Sequence, residues 1–111
     1  MLNKKLRIKN GKCYKDIYKY GKRITGKYMI FYIRKNEFMY NRFGIVTSKK
    51  VGNAVIRNKV KRRIRAIVKN NMNKIATGND IVIISRKNTA NADFALIEKD
   101  FLIVMRKAGL C

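Results

Sequence analysis

Residues 49–70 read KKVGNAVIRNKVKRRIRAIVKN, and the spacing of the apolar residues here decides how the chain is organised. Ile56, Val60, Ile64, Ile67 and Val68 recur at helical period and predict one buried stripe. Asn53 stands just before them, where its side-chain oxygen can accept an N–H of the first turn. A helix is therefore expected from Ala54 to about residue 70. Opposite the stripe lie Asn58, Lys61, Arg62, Arg65 and Lys69, with Arg57 on the border. Nine of the 22 residues are Lys or Arg and none is acidic; the nearest carboxylates in sequence are Glu37 and Asp80.

On either side, the period changes from helix to strand. Upstream, RFGIVTS (42–48) alternates Phe43, Ile45 and Thr47 against Gly44, Val46 and Ser48. Downstream, the Gly78-Asn79 turn signal precedes DIVIISR (80–86), an apolar run that reads as a buried strand. Strand, helix and strand can form a βαβ crossover, which the general rule for such connections would make right-handed. YMIFYIR (28–34) is a further strand, joined to 42–48 by a polar, hairpin-like connection, KNEFMYN. A first helix is expected over residues 11–20, where Tyr14, Ile17 and Tyr18 share a face and Gly21 marks the stop. A last helix is expected from about Ala92 to Lys107, with Phe94, Ile97, Phe101, Val104 and Met105 inward and Gly109 past its end. The expected fold is α+β, a small αββαβα sandwich around a central sheet. With no repeat, linker or composition break, residues 1–111 read as a single domain.

Twenty-eight Lys and Arg against six acids give +22, with no His. Self-repulsion on that scale opposes compaction, and a polyanion in use would screen it. A hydrophobic content of 47% argues against disorder. No apolar run is long enough to span a membrane, and the basic N-terminus lacks the apolar segment of a secretion signal. Cys13 and Cys111 make neither a disulfide framework nor a metal-ligand spacing, so a reducing cytoplasm is the expected location.

A solvated helix face normally mixes charge signs, whereas this one stacks like charges at 58/61/62/65/69 spacing, which costs stability. Arg57 and Lys59 also lie in the first turns, where the helix dipole disfavours cations. A nucleic-acid partner accounts for both penalties. Arg binds phosphate oxygens bidentately, Lys adds point charge, and the helix N-terminus at residues 51–54 offers free N–H groups. Tyr14 and Tyr18 on one helix face, with Phe31 and Tyr32 pointing oppositely from a strand, provide rings beside this charge. Single strands bind such platforms, although aromatics in these positions also commonly build core. Asp16, Glu37, Asp80, Asp93, Glu98 and Asp100 are scattered. Without His or clustered carboxylates, the chain lacks the usual means of acid–base or two-metal phosphodiester cleavage.

Residues 48–65, SKKVGNAVIRNKVKRRIR, resemble the signature of the bacterial ribonuclease P protein subunit, and a looser likeness runs from Leu6 through the last helix. The resemblance implies an α+β sandwich with a left-handed βαβ crossover, against the general rule. It implies that the chain assists an RNA-based, Mg²⁺-dependent endoribonuclease that removes the 5′ leader of precursor tRNA, with Mg²⁺ held mainly by the RNA. No catalytic residue or protein metal site is then expected. Contacts to the catalytic RNA subunit are expected from Lys49, Lys50, Asn53, Arg57, Asn58, Lys59, Lys61, Arg62 and Arg65. Tyr14, Tyr18 and Tyr32 are expected to hold the leader in a cleft between the sheet and the first helix. Lys59 stands where Arg is more usual, Arg63 where an apolar residue is usual, and tyrosines replace two phenylalanines of the cleft. A ribosomal protein would share the charge and size but is not expected to carry GNAVIRN. A helix-turn-helix DNA binder needs a helix where RFGIVTS stands.

Overall fold

The computed structural model describes residues 3–111. Three α-helices, α1 (Gly11–Tyr20), α2 (Ala54–Asn71) and α3 (Phe94–Lys107), accompany four strands: β1 (Lys22–Thr25), β2 (Met29–Lys35), β3 (Arg42–Val46) and β4 (Asn79–Ser85). Short 3₁₀ turns at Lys4–Leu6, Lys49–Val51, Met72–Lys74 and Lys87–Asn91 join them. The α+β class and the order of the expected elements are as read from the sequence.

The strands lie in the order β1-β2-β4-β3. β4 pairs antiparallel with β2 and parallel with β3, so α2 is the crossover between adjacent parallel strands. The hairpin-like reading of residues 35–41 is corrected here, because β2 and β3 are not partners. Ile81, Val82 and Ile83 are fully buried. A strand that is apolar on both faces gains most from the centre of the sheet, and β4 takes that place. The 35–41 segment instead bridges over the start of β4, anchored by the Asn36 amide donating to the Gly78 carbonyl (2.9 Å).

β1 was not foreseen. Its sequence, KRIT, has one apolar residue and no alternation to read. It is an edge strand, and Lys22 and Arg23 on it discourage pairing with another chain. The turn into β2 is held from a distance, where Asp100 on α3 accepts the Lys27 and Tyr28 amides (2.8 and 2.9 Å). Gly21 caps α1 by donating its amide to the Ile17 carbonyl (2.8 Å).

Period-two alternation divides the core. Met29, Phe31 and Ile33 of β2 join Phe43, Ile81 and Ile83 on one face of the sheet. They pack there against Val60, Ile64, Ile67 and Val68 of α2 and Ile97, Phe101, Val104 and Met105 of α3. Each such side chain contributes about 1.5–3 kcal/mol by burial. Ile56, read as part of this stripe, is 36% exposed. It sits in the first turn of α2, ahead of the part of the helix that reaches the sheet. On the opposite face, Val82 packs with Ile8 and with Ile17 of α1. Helices therefore cover both faces, α2 and α3 on one and α1 on the other.

Candidate nucleic-acid interface

The first turn of α2 is built as its sequence suggests, with the Ile56 amide donating to Asn53 Oδ1 (3.0 Å). Ahead of it, Gly52 has φ 155°, a conformation that L side chains rarely adopt, and a Cβ there would strike the Ile56 side chain. Gly52 thus lets the chain approach the Ile56 side chain closely. Lys49, Lys50, Asn53, Asn58, Lys59 and Arg62 are exposed, while Arg57, Lys61 and Arg65 are half-buried. Among the described residues two ion pairs form, Arg34–Asp16 and Arg42–Asp80, and neither involves α2. Among the described residues, no cation of this helix is therefore held in an ion pair. Arg63 differs from its neighbours. Its guanidinium donates to the Ala92 carbonyl (3.0 Å) and ties α2 to the segment before α3, which explains a cation at a position read as ordinarily apolar.

The three tyrosines come together. Tyr14 and Tyr18, one helical turn apart, have ring centroids 6.3 Å apart, and Tyr32 of β2 meets Tyr18 edge-on at 4.9 Å. Tyr32 faces α1 while Phe31 faces the main core against Phe101 (5.9 Å), the opposite orientations expected of neighbours on a strand. Tyr18 is 39% exposed, so its ring is available at the surface. Tyr14 lies deeper, with its hydroxyl toward the Ile8 carbonyl (3.4 Å) and Gly44 beneath it. A Cβ on Gly44 would collide with the Tyr14 ring and hydroxyl. Burial pushes the Tyr14 phenol pKa up. Burial does the same for Tyr18, helped by the charges Tyr14 and Tyr32 would carry if ionised. Both phenols therefore stay neutral at physiological pH, as uncharged rings with a hydroxyl donor.

The basic helix and the tyrosines, on opposite faces of the sheet, meet at its β3 edge. Arg65 of α2 and Tyr14 of α1 line one cavity of about 130 Å³ with Arg7, Ile8, Phe43 and Gly44. Residues 7–8 close this edge, with the Ile8 amide donating to the Phe43 carbonyl (2.9 Å). Sequence reasoning missed Arg7, which a long-range backbone pairing delivers to this site and which no local pattern marks. A larger groove of about 580 Å³ continues along α2 between Arg62, Arg65 and Lys69.

This fold recurs in known proteins. Residues 2–109 match the family model described as Ribonuclease P. The chain belongs to the ribonuclease P protein family. It is 42% identical to the ribonuclease P protein component of Syntrophomonas wolfei, over 99% of this chain and 92% of that one. The structure of the Staphylococcus aureus RNase P protein superimposes with a TM-score of 0.86 at 34% identity, covering 95% of this chain and 96% of the other. The Thermotoga maritima RNase P protein gives 0.84 at 34% identity, over 91% and 96%. The resemblance carried by residues 48–65 is thus borne out over nearly the whole chain.

Within this ribonuclease P fold, most carboxylates have structural partners. Asp80 receives two bonds from Arg42 (2.9 and 2.6 Å) and one from Asn36 (2.9 Å), and its hydrogen bonds hold the Arg42 pKa up. Asp100 holds the β1–β2 turn, and Glu98 accepts from Asn71 (3.0 Å). Among the described residues no three His, Cys, Asp or Glu side chains group so as to hold a metal ion. No helix there is long and apolar enough to cross a membrane.

Proposed function

We propose that the chain acts as one RNA-binding domain, the protein subunit of an endoribonuclease whose catalytic centre is RNA. In this reading α2 binds the catalytic RNA subunit, and the enzyme removes the 5′ leader of precursor tRNA to give the mature 5′ end. The observation that carries the reading is the uncompensated charge of α2. Cations without partners in the fold suit the phosphates of a folded RNA, each contact releasing condensed counterions. Lys49, Lys50, Asn53, Arg57, Asn58, Lys59, Lys61, Arg62 and Arg65 are assigned to that contact. Tyr14, Tyr18 and Tyr32 are assigned to the leader, whose unpaired bases can stack on the exposed Tyr18 ring while the other two hold it in place.

The residues of this chain do not fit a catalytic Mg²⁺ of their own, since Asp80, Asp100 and Glu98 are each engaged in holding the fold. Mg²⁺ is assigned to the RNA, where it would neutralise phosphate charge and supply Lewis-acid chemistry. The chain's own part is to bind two polyanions at once, which lowers their repulsion and orients the substrate. A cytoplasmic location accompanies this reading. Reconstitution with a cognate catalytic RNA and a precursor tRNA tests it. The mixture is expected to cleave the leader at moderate Mg²⁺ and salt, where RNA alone is slow. Failure of the protein to bind that RNA or speed cleavage would refute the reading.

A further inference from the structure

α3 carries apolar side chains on two faces. Ile97, Phe101, Val104 and Met105 point to the sheet and are buried, whereas Leu96, Lys99 and Ile103 share another face at i, i+3 and i+7. Leu96 is 45% exposed and Ile103 half-buried. They stand roughly 10 Å apart along the helix axis. With Lys27, Tyr28 and Asp100 these three residues line a groove of about 250 Å³. None of the six is assigned to RNA above. The groove lies beside the start of β2, and β4 separates that strand from the β3 edge where Arg65 and Tyr14 meet.

The wall facing α3 is fixed in place. Besides the two amides that Asp100 accepts, the Gly26 carbonyl accepts from Arg86 Nη1 (2.9 Å) and the Lys27 carbonyl from Asn88 Nδ2 (3.0 Å). The Tyr28 carbonyl accepts from the Thr89 hydroxyl (2.6 Å). The β1–β2 turn is thus tied both to α3 and to the segment after β4, so the groove is preformed and a partner loses little by ordering it. Lys27 and Lys99 are exposed, and neither forms an ion pair among the described residues. Asp100, the one acid of the groove, already has both oxygens on backbone amides. An apolar floor with two unpaired cations at its rim calls for a partner that brings apolar side chains and carboxylates together.

We propose that this groove docks an acidic amphipathic helix of another protein. The helix lies along α3, sets side chains at i and i+7 against Leu96 and Ile103, and brings carboxylates to Lys27 and Lys99. RNA suits the groove poorly. Its one ring, Tyr28, is 8% exposed and gives a base no face to stack on. A second copy of this chain suits it no better, because both copies carry +22 and would bring the same lysines together. The surface is separate from those assigned to RNA, so the chain can hold a protein and its RNAs at once.

The test titrates the full chain with a synthetic amphipathic helix that has leucines at i, i+3 and i+7 and glutamates beside them, and follows the amide NMR shifts. Shifts are expected at Lys27, Tyr28 and residues 96–103. Leu96→Ser, and Lys27→Ala with Lys99→Ala, are each expected to weaken binding by about tenfold; these side chains are exposed, so the core is left untouched. Peptides with the glutamates changed to glutamine, or the leucines to serine, are expected to bind as weakly. No binding by the first peptide, equal binding by the serine peptide, or shifts confined to α2 would overturn the proposal. Stronger shifts of the groove by a single-stranded RNA oligonucleotide, or by raising the protein concentration alone, would overturn the choice of occupant. Leu96→Ser is expected to leave leader cleavage by the reconstituted holoenzyme unchanged, and a loss there would overturn the separation of this groove from the RNA surfaces. Failure of wild type to assist cleavage would count against the proposed function and leave the peptide result standing by itself.

Discussion

Arg65 and Tyr14 line a single cavity although their helices cover opposite faces of the sheet. β3 lies at the edge, so α2 and α1 can both reach around it, and residues 7–8 seal the gap by pairing with Phe43. The surfaces assigned to two different RNAs are therefore contiguous. Under the proposed function, this geometry would let the protein hold a substrate strand against the RNA subunit.

That contiguity makes single substitutions on the two surfaces separable only away from the shared cavity. Arg62→Ala is expected to weaken catalytic-RNA binding and reduce its salt slope by about one. Tyr18→Ala is expected to spare that binding and to cost about 1–3 kcal/mol in affinity for precursor tRNA with a leader. Competition binding with precursor and mature tRNA checks this. Equal losses for both would make Tyr18 a packing residue.

Gly44→Ala displaces Tyr14 without replacing any side chain assigned to RNA. The new methyl would displace a ring that is boxed in by β3, and overpacking of this kind costs about 1–3 kcal/mol. Urea denaturation should report that loss, and leader-dependent affinity should fall with it. An unchanged midpoint would mean that the Tyr14 ring moves freely.

The elements that self-organise locally were legible in the sequence, and those that depend on distant partners were not. α1 and α2 were readable because Ile17 and the Val60–Ile64–Ile67–Val68 stripe follow helical period, and because Asn53 caps in place. β4 was readable as buried, but its position between β2 and β3 was not, since a short apolar run carries no record of which neighbours it will have. β1 has too few apolar residues to signal a strand. The tyrosine cluster could be anticipated from Tyr14 and Tyr18 on one helix face. Arg7 could not, because a long-range pairing with Phe43 brings it to the site.

The phenol pKa values give a pH dependence with a definite sign. Tyr14 and Tyr18 hold their protons more tightly when folded, mainly through burial. Their contribution is fully present below the ordinary tyrosine pKa. Above about pH 10 the unfolded chain releases these protons first, so stability falls as pH rises toward the folded values. Urea midpoints are expected to drop between about pH 9 and 11, and the double variant Tyr14→Phe, Tyr18→Phe to drop less steeply. Parallel pH profiles for the two proteins would show that the phenols are not the source.

Specific anions should stabilise the fold. At +22, and with the α2 cations unpaired, phosphate binds the native state more tightly than the unfolded chain. Melting in phosphate is expected at a higher temperature than in chloride of matched ionic strength. Coincident curves would leave only general screening.

The location of catalysis is tested by changing each acid singly to its amide. The environments predict which changes disturb folding. Arg42 and Asp80 are only 20% and 9% exposed, so Asp80→Asn leaves a buried cation unpaired, which costs about 3–5 kcal/mol. Asp100→Asn weakens the clasp on the Lys27 and Tyr28 amides. Glu37 is exposed and Asp93 makes no capping bond, so their amides should be silent. With phosphate added to keep every variant folded, single-turnover cleavage by the reconstituted holoenzyme is expected to be the same for all six. The benefit of the protein should shrink for all of them as Mg²⁺ rises and screens the RNA unaided. One amide variant that binds both RNAs normally and yet abolishes cleavage would place a catalytic carboxylate in this chain and overturn the assignment of the chemistry to RNA.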